Sequence, residues 1–145
     1  MPKNGRIIFL LLLICVFLIA CSNRSLVTNI EREDEKSIGE TYGFTTFNVS
    51  FDTKEMKEAL VSKYEEKTDK TEASYENKID NIFLHGNKAM EKLDELFTEL
   101  DLDAEMDDED VVKETSKAFE VIDYTTMKLT VKFKGHDTKE LMMSK

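Results

Sequence analysis

The first 21 residues limit what the rest of the chain can fold into. Two basic residues, Lys3 and Arg6, precede an uninterrupted apolar run over residues 7–20, and Cys21 follows a small residue. This order is typical of a secretory signal peptide that ends in a lipobox, in which the cysteine after the cut receives a diacylglycerol. The run is shorter than the roughly 20 apolar residues that a bilayer-spanning helix needs. The sequence therefore predicts a cleaved signal peptide at 1–20 and lipidation of Cys21.

Lipidation predicts both a location and a constraint on stability. A diacylglycerol supplies two acyl chains, enough to hold the mature chain at the extracytoplasmic face of the cell membrane. Cys15 would be removed with the signal peptide and Cys21 would be acylated, so no thiol would remain for a disulfide, a metal site or a nucleophile. The fold must then be stabilised by packing alone.

Charge and length narrow the class of protein further. Residues 1–20 contain Lys3 and Arg6 and no acidic residue, so their removal takes the net charge from −10 to −12. Such a surface repels the phosphates of nucleic acid, which excludes nucleic acid as a partner. About 100 residues remain once a tether is set aside, which is enough for one small domain. We expect a single domain and a monomer.

The mature chain divides into a tether and a domain. Residues 22–41 are mostly polar, with a charged run at 31–36, and they predict a flexible tether over 21–42. As a random coil of about 20 residues, this segment would hold the domain about 25 Å from the bilayer. The domain is predicted over 43–145.

Alternation of apolar and polar residues predicts the strands. Phe47, Val49 and Phe51 alternate with polar residues, and weaker alternation covers 60–64 and 72–78. The clearest strand comes last, with four apolar residues facing one way: Met127, Leu129, Val131 and Phe133. Turn residues and a short alternating stretch follow at 135–143, which allow a hairpin return.

Two helices are predicted between these strands. Apolar residues at three-and-four spacing run from Ile79 to Leu100 and are interrupted by Gly86, so the helix is predicted from Asn87. A second helix begins at Asp107 or Asp108 and runs to about Phe119, with acids in its first turn that favour the helix dipole. The fold class is therefore α+β: an antiparallel sheet of about four to five strands with two helices packed on one face, in the order β-β-(β)-α-α-β-(β).

Several of these residues resemble the YusW-like family of small lipoproteins from Bacillus-type bacteria. The similarity runs from Phe44 to Lys145 and rests on three groups of residues: the 47–51 strand, Gly86 with Ala89 and Leu93, and Phe119 with Tyr124 and the 129–133 strand. It implies a small Gram-positive lipoprotein without an assigned activity. The family supplies no catalytic or ligand-binding motif to carry over.

An acidic run at 101–110 raises the question of a cation site. Acids at alternate positions resemble the start of an EF-hand loop, but Met106 stands where the turn needs glycine and Val112 where a bidentate glutamate belongs. A solvated loop between two helices explains the same residues. The sequence leaves open whether this loop binds cations.

Catalytic motifs are missing from the sequence. His85 and His136 have no metal-binding spacing to another histidine or a cysteine, and no serine lies in a Gly-x-Ser-x-Gly or Ser-x-x-Lys arrangement. We therefore predict that the protein is not an enzyme and needs no cofactor or metal.

Three lysines stand apart from the acidic background: Lys128, Lys132 and Lys134. One interpretation is that they keep the edge of a strand from pairing with another sheet. The other is a docking face for an acidic partner, either an envelope protein or an anionic wall polymer.

The leading functional hypothesis is a noncatalytic interaction module anchored to the membrane. The alternative is a small-ligand-binding lipoprotein of the cell envelope, although one small core leaves little room for a pocket.

Overall fold

The computed structural model of the chain describes residues 25–28 and 39–145. Within these residues it contains seven strands and two helices, and the predicted α+β class is confirmed. In chain order the elements are β1 (Leu26–Val27), β2 (Phe44–Asp52), β3 (Leu60–Glu66), β4 (Thr71–Asn77), β5 (Ile82–His85), α1 (Asn87–Glu99), α2 (Asp108–Ala118), β6 (Thr126–Phe133) and β7 (Thr138–Ser144).

The strands form one antiparallel sheet in the order β1-β4-β3-β2-β6-β7, and β5 also pairs with β4. β3 lies along one edge of β4, while β1 and β5 follow each other along its other edge. β1 pairs with Thr71 and Glu72, and β5 pairs with the stretch from Ser74 to Asn77. We call this side of the sheet the β1/β5 edge. β7 forms the opposite edge.

The sheet has more strands than the four to five predicted, and β5 is one of those missed. Ile82 and Leu84 lie opposite Asn77 and Tyr75 of β4 and face the core side with them. A four-residue strand is too short to display a period of two, and its apolar residues also fit the helical spacing of the segment that follows. Gly86, with a φ of 61°, supplies the left-handed conformation between β5 and α1.

The other missed strand, β1, lies inside the stretch predicted as tether. Leu26 and Val27 pair with β4, and Val27 is buried in the core. The turn at 39–42 also packs against the domain, since the backbone N–H of Gly39 donates to Glu66. For residues 25–28 and 39–42 the tether prediction is therefore wrong, because two apolar residues in a polar stretch are enough to complete a sheet edge. The rest of the tether, the signal peptide at 1–20 and Cys21 lie outside the described residues.

Strand alternation places one side of the sheet in the core. β2 contributes Phe44, Phe47, Val49 and Phe51, and none of them is more than 2% exposed. Phe44 and Phe47 both point inward although they are three residues apart, because the pairing with β6 shifts register between Phe44 and Thr46. The four apolar residues predicted for the last strand are all buried in β6.

Both helices pack on this inner face. Phe97 of α1 places its ring 5.0 Å from Phe44, 5.2 Å from Phe47 and 5.3 Å from Tyr64, measured between centroids. Phe119, which follows α2, stacks on Phe47 with centroids 5.9 Å apart and planes 6° apart. Phe47 therefore joins the sheet to both helices. The two predicted helices are confirmed, each to within a residue or so at its ends.

Candidate interaction surface

The face of the sheet opposite the helices carries polar side chains. At its centre lie six residues that we call the β2/β6 patch: Thr46, Asn48 and Ser50 of β2, paired with Lys132, Thr130 and Lys128 of β6. The patch offers hydroxyl, amide and ammonium groups and contains no carboxylate. In a chain with a net charge of −10, it is a local surface suited to hydrogen-bond acceptors and anions.

Carboxylates lie close to the patch on the neighbouring strands of the same face. Glu65 of β3 lies opposite Glu72 of β4, and each has a lysine partner from the intervening turn. Lys67 lies 3.2 Å from Glu65 and Lys70 lies 2.8 Å from Glu72. The hydrogen bond from Lys70 lowers the pKa of Glu72 and raises that of Lys70. The outer face therefore carries both signs of charge, and the β2/β6 patch is bordered by Lys63 and Glu65 of β3 on one side and by Glu140 of β7 on the other.

The structure separates the three lysines singled out by the sequence. Lys128 and Lys132 are exposed on the outer face of β6 and belong to the β2/β6 patch. Lys134 lies beyond β6 in the turn to β7, where its Nζ is 3.0 Å from a carboxylate oxygen of Glu40. β6 lies between β2 and β7, so protecting a sheet edge does not explain Lys128 and Lys132.

Two open grooves lie on the surface of the described residues. One, of about 410 Å³, is lined by residues from the start of β2, the β3–β4 turn, the end of β6 and the turn that follows it, among them Glu66, Lys67, Lys132 and Lys134. The other, of about 630 Å³, is lined by the acidic residues at 105 and 107–110 together with Lys139. Both grooves carry charged side chains in their linings, and the smaller one also contacts Phe133 at the margin of the core.

Lys139 places a positive charge beside the acidic run at 101–110. Its Nζ donates to the backbone carbonyl of Met106 at 2.9 Å and lies 3.3 Å from Oδ1 of Asp108. The ammonium group of Lys139 therefore already contacts two of the oxygens in this loop that a bound cation would otherwise use. Within residues 25–28 and 39–145, no group of three or more histidine, cysteine or acidic side chains is arranged to hold a metal ion.

A polar cluster fastens the start of the domain to its core. The hydroxyl of Tyr42 donates to Asp94 of α1, and the hydroxyl of Tyr64 donates to Oε2 of Glu66 at 3.1 Å. The same Glu66 oxygen accepts the backbone N–H of Gly39 at 3.0 Å. A side chain at position 39 would meet Thr45 at 3.0 Å, and the φ of +79° also favours glycine there. We call Tyr42, Tyr64, Glu66 and Asp94 the tyrosine clamp.

The clamp holds its phenols in the neutral form. Burial raises the pKa of both tyrosines, and the carboxylates of Asp94 and Glu66 raise it further. The phenols therefore act as hydrogen-bond donors and not as bases or nucleophiles. Sequence reasoning did not identify this cluster, because Tyr42 and Asp94 are 52 residues apart and no local spacing connects them.

The fold and surface define a small α+β domain with a packed aromatic core and one polar sheet face. A family model described as YusW-like protein matches residues 45–135, which is more than half of the chain. The chain belongs to the YusW-like protein family. No curated protein and no solved structure matches it significantly. Neither α1 nor α2, the two helices of the described residues, has the length and apolarity of a bilayer-spanning segment.

Proposed function

We propose that the protein is a lipoprotein anchored through Cys21 at the outer face of the cytoplasmic membrane, where it acts as a noncatalytic interaction module. The anchor is inferred from the signal peptide and lipobox pattern of residues 1–21. The interaction role rests on one structural observation, the β2/β6 patch. It is a polar sheet face with two exposed lysines in a strongly acidic protein.

The patch is suited to an acidic partner. Lys128 and Lys132 are four residues apart on one strand, so their Cα atoms are about 13 Å apart and Thr130 lies between them. Thr46, Asn48 and Ser50 on the neighbouring strand add short donors and acceptors. A partner that places anionic groups at this spacing would gain two charge-assisted contacts and several neutral hydrogen bonds. The partner proposed is an acidic segment of another envelope protein, with anionic wall polymer as the competing choice.

Binding of a small ligand has less support. The interior is filled by aromatic residues in contact, and the two grooves described above are shallow and charged. A small-molecule site usually encloses most of its ligand in an apolar cleft with a few polar groups. The alternative of a ligand-binding lipoprotein is therefore not pursued further.

The test replaces both lysines of the patch in the full chain, as Lys128→Glu with Lys132→Glu. Crosslinking in living cells, followed by identification of captured proteins, compares this variant with the natural chain. The control is Lys54→Glu with Lys113→Glu, which makes the same change in charge at two exposed lysines outside the patch. We expect the patch variant to lose its main crosslinked partner while the control keeps it.

Three results would contradict parts of this proposal. Unchanged crosslinking in the patch variant would exclude the β2/β6 patch as the docking face. Loss of binding to purified cell wall, with protein crosslinks unchanged, would favour wall polymer over a protein partner. Mass spectrometry of the native protein that finds residues 1–20 retained and Cys21 without lipid would remove the membrane anchor.

A further inference from the structure

The residues just after the predicted lipidation site are fixed to one edge of the sheet. The carbonyl of Ser25 accepts the backbone N–H of Ala73 at 2.7 Å, and Leu26 and Val27 pair with β4. Thr28 and Asn87 exchange two hydrogen bonds, of 2.6 Å and 2.8 Å. The chain is therefore held to the β1/β5 edge at residues 25–28.

This attachment leaves a short reach to the bilayer. Only residues 22–24 separate Cys21 from Ser25, and four residue steps span at most about 14 Å when fully extended. A tether of about 20 residues would have allowed the domain any orientation. With about 14 Å, a lipid on Cys21 brings the β1/β5 edge close to the membrane surface.

That same edge exposes large apolar side chains. Phe83 of β5 is 52% exposed, and Ile79, in the turn before β5, is 57% exposed. Phe83 pairs with Glu76, three residues along β4 from Ala73, so it lies about 10 Å from Ser25 along the strand. The apolar side chains and the end of the short anchor segment are thus on the same edge.

We propose that the β1/β5 edge rests on the lipid bilayer, with Phe83 and Ile79 entering the headgroup region. This inference rests on the proposed lipidation of Cys21 and specifies how the anchored domain is oriented. Aromatic and aliphatic side chains are favoured at this depth, where apolar area leaves water. Glu76, which pairs with Phe83, puts a carboxylate at this edge, 3.6 Å from His85, so the contact depends on apolar area and not on attraction to anionic lipid.

This orientation carries the β2/β6 patch away from the membrane. β6 is four strand spacings from β5 across the sheet, which places Lys128 and Lys132 about 19 Å from the edge that meets the bilayer. Phe83 projects from the outer face beside Glu76, so that face tilts toward the membrane at the β1/β5 edge and rises away from it toward β6. A partner reaches the patch from the side, clear of the headgroups.

The experiment uses tryptophan as a depth probe, because the natural chain contains none. Phe83→Trp is made in the full lipidated protein, which is purified and placed in phosphatidylcholine vesicles with and without brominated acyl chains. Met142→Trp is the matched control, because Met142 is 68% exposed on β7 at the opposite edge. We expect brominated lipid to reduce emission about twofold for Phe83→Trp, as for a side chain 5–10 Å into the headgroup boundary, and to leave Met142→Trp unchanged.

The result separates this inference from the proposed function. Equal emission from Phe83→Trp in brominated and ordinary vesicles, for protein shown by mass spectrometry to carry lipid on Cys21, would overturn the orientation and leave the anchor intact. Quenching of Met142→Trp as strongly as Phe83→Trp would also overturn it, since no single edge would then face the bilayer. Failure of the protein to carry lipid would instead contradict the proposed function.

Discussion

The two faces of the sheet are built from the same strands and have opposite roles. On β2, Phe47 is fully buried and contacts both helices, while its neighbour Asn48 lies on the outer face between Lys63 and Thr130. The inner face is a connected set of aromatic contacts centred on Phe44, Phe47 and Phe97. The outer face carries polar side chains and charged side chains of both signs, with few contacts. Stability therefore depends on the inner face, and the outer face is available for binding.

The largest expected effect is loss of the aromatic contact at the centre of the core. Phe47→Ala removes a ring that packs on Phe44, Phe97 and Phe119, and we expect a loss of about 3–5 kcal/mol in the free energy of unfolding. Asn48→Ala, one residue away on the outer face, should change it by about 0.5 kcal/mol or less. Urea denaturation measures both.

Phe47→Leu keeps this comparison testable if the alanine variant does not fold. It retains most of the apolar volume and should cost about 1–2 kcal/mol. Equal effects of Phe47→Leu and Asn48→Ala would contradict the assignment of stability to the inner face.

Alkaline pH should weaken the tyrosine clamp. The pKa of Tyr42 and Tyr64 in the folded protein lies above the ordinary value of 10.0, so the neutral phenols stabilise the folded state fully below that pH. Above about pH 10 the unfolded chain loses its phenolic protons first, and the free energy of unfolding falls. Denaturation at about pH 8 and about pH 11 should show this fall.

Replacement of one clamp residue provides the control for this pH effect. Tyr64→Phe removes one of the two raised pKa values, so its stability should decline less steeply between the same two pH values. Absorbance of the phenolate should meanwhile show that Tyr42 and Tyr64 ionise only with unfolding. A natural chain and variant with the same pH slope would exclude Tyr64 as a source of this pH effect.

A smaller effect is expected at Lys139, which ties β7 to the start of α2. Lys139→Met keeps the length of the side chain but removes the hydrogen bond to Met106 and the ion pair with Asp108, at a cost of about 1–2 kcal/mol. Hydrogen exchange should accelerate at 106–110 and remain unchanged in the sheet. Lys113→Met, at an exposed position on α2, is the matched control, and an equal effect there would contradict the role of Lys139.

The smallest effect should be a gain in stability. Ser62 is fully buried on the inner face of β3, and its hydroxyl has no hydrogen-bond partner. Ser62→Ala removes an unsatisfied polar group with little change in volume and should stabilise the protein by about 1 kcal/mol. Ser50→Ala on the outer face, at a position that is only partly buried, should be close to neutral. A destabilising Ser62→Ala would show that this hydroxyl has a partner in solution.

The sequence predicted those parts of the fold in which the hydrophobic pattern is long. β2 and β6 each show their period of two over several residues, and α1 and α2 each have a clear start. β1 and β5 are two and four residues long, so their existence depends on the open edge of β4 and not on a pattern of their own. A short strand of this kind can be recognised only when its neighbour in the sheet is known.

The candidate surface was predictable only in part. Alternation along β6 placed Lys128 and Lys132 on one face, and the structure agrees. The neighbours that complete the patch come from β2, about 80 residues earlier, and only the register of the sheet brings them together. Lys134 continues the same alternation in sequence, but the chain turns after Phe133 and the side chain meets Glu40 instead.

The position of β6 next to β2 affects the order in which the protein can fold. β2 through β5 are consecutive neighbours and can associate as soon as they are synthesised, whereas the pairing of Phe44 with Phe133 must wait for almost the whole chain. Contacts of this long sequence separation slow folding and leave a hydrophobic strand edge exposed until the last hairpin arrives. A chain that stops before residue 126 would present that edge to other unfinished copies, and its expected fate is aggregation.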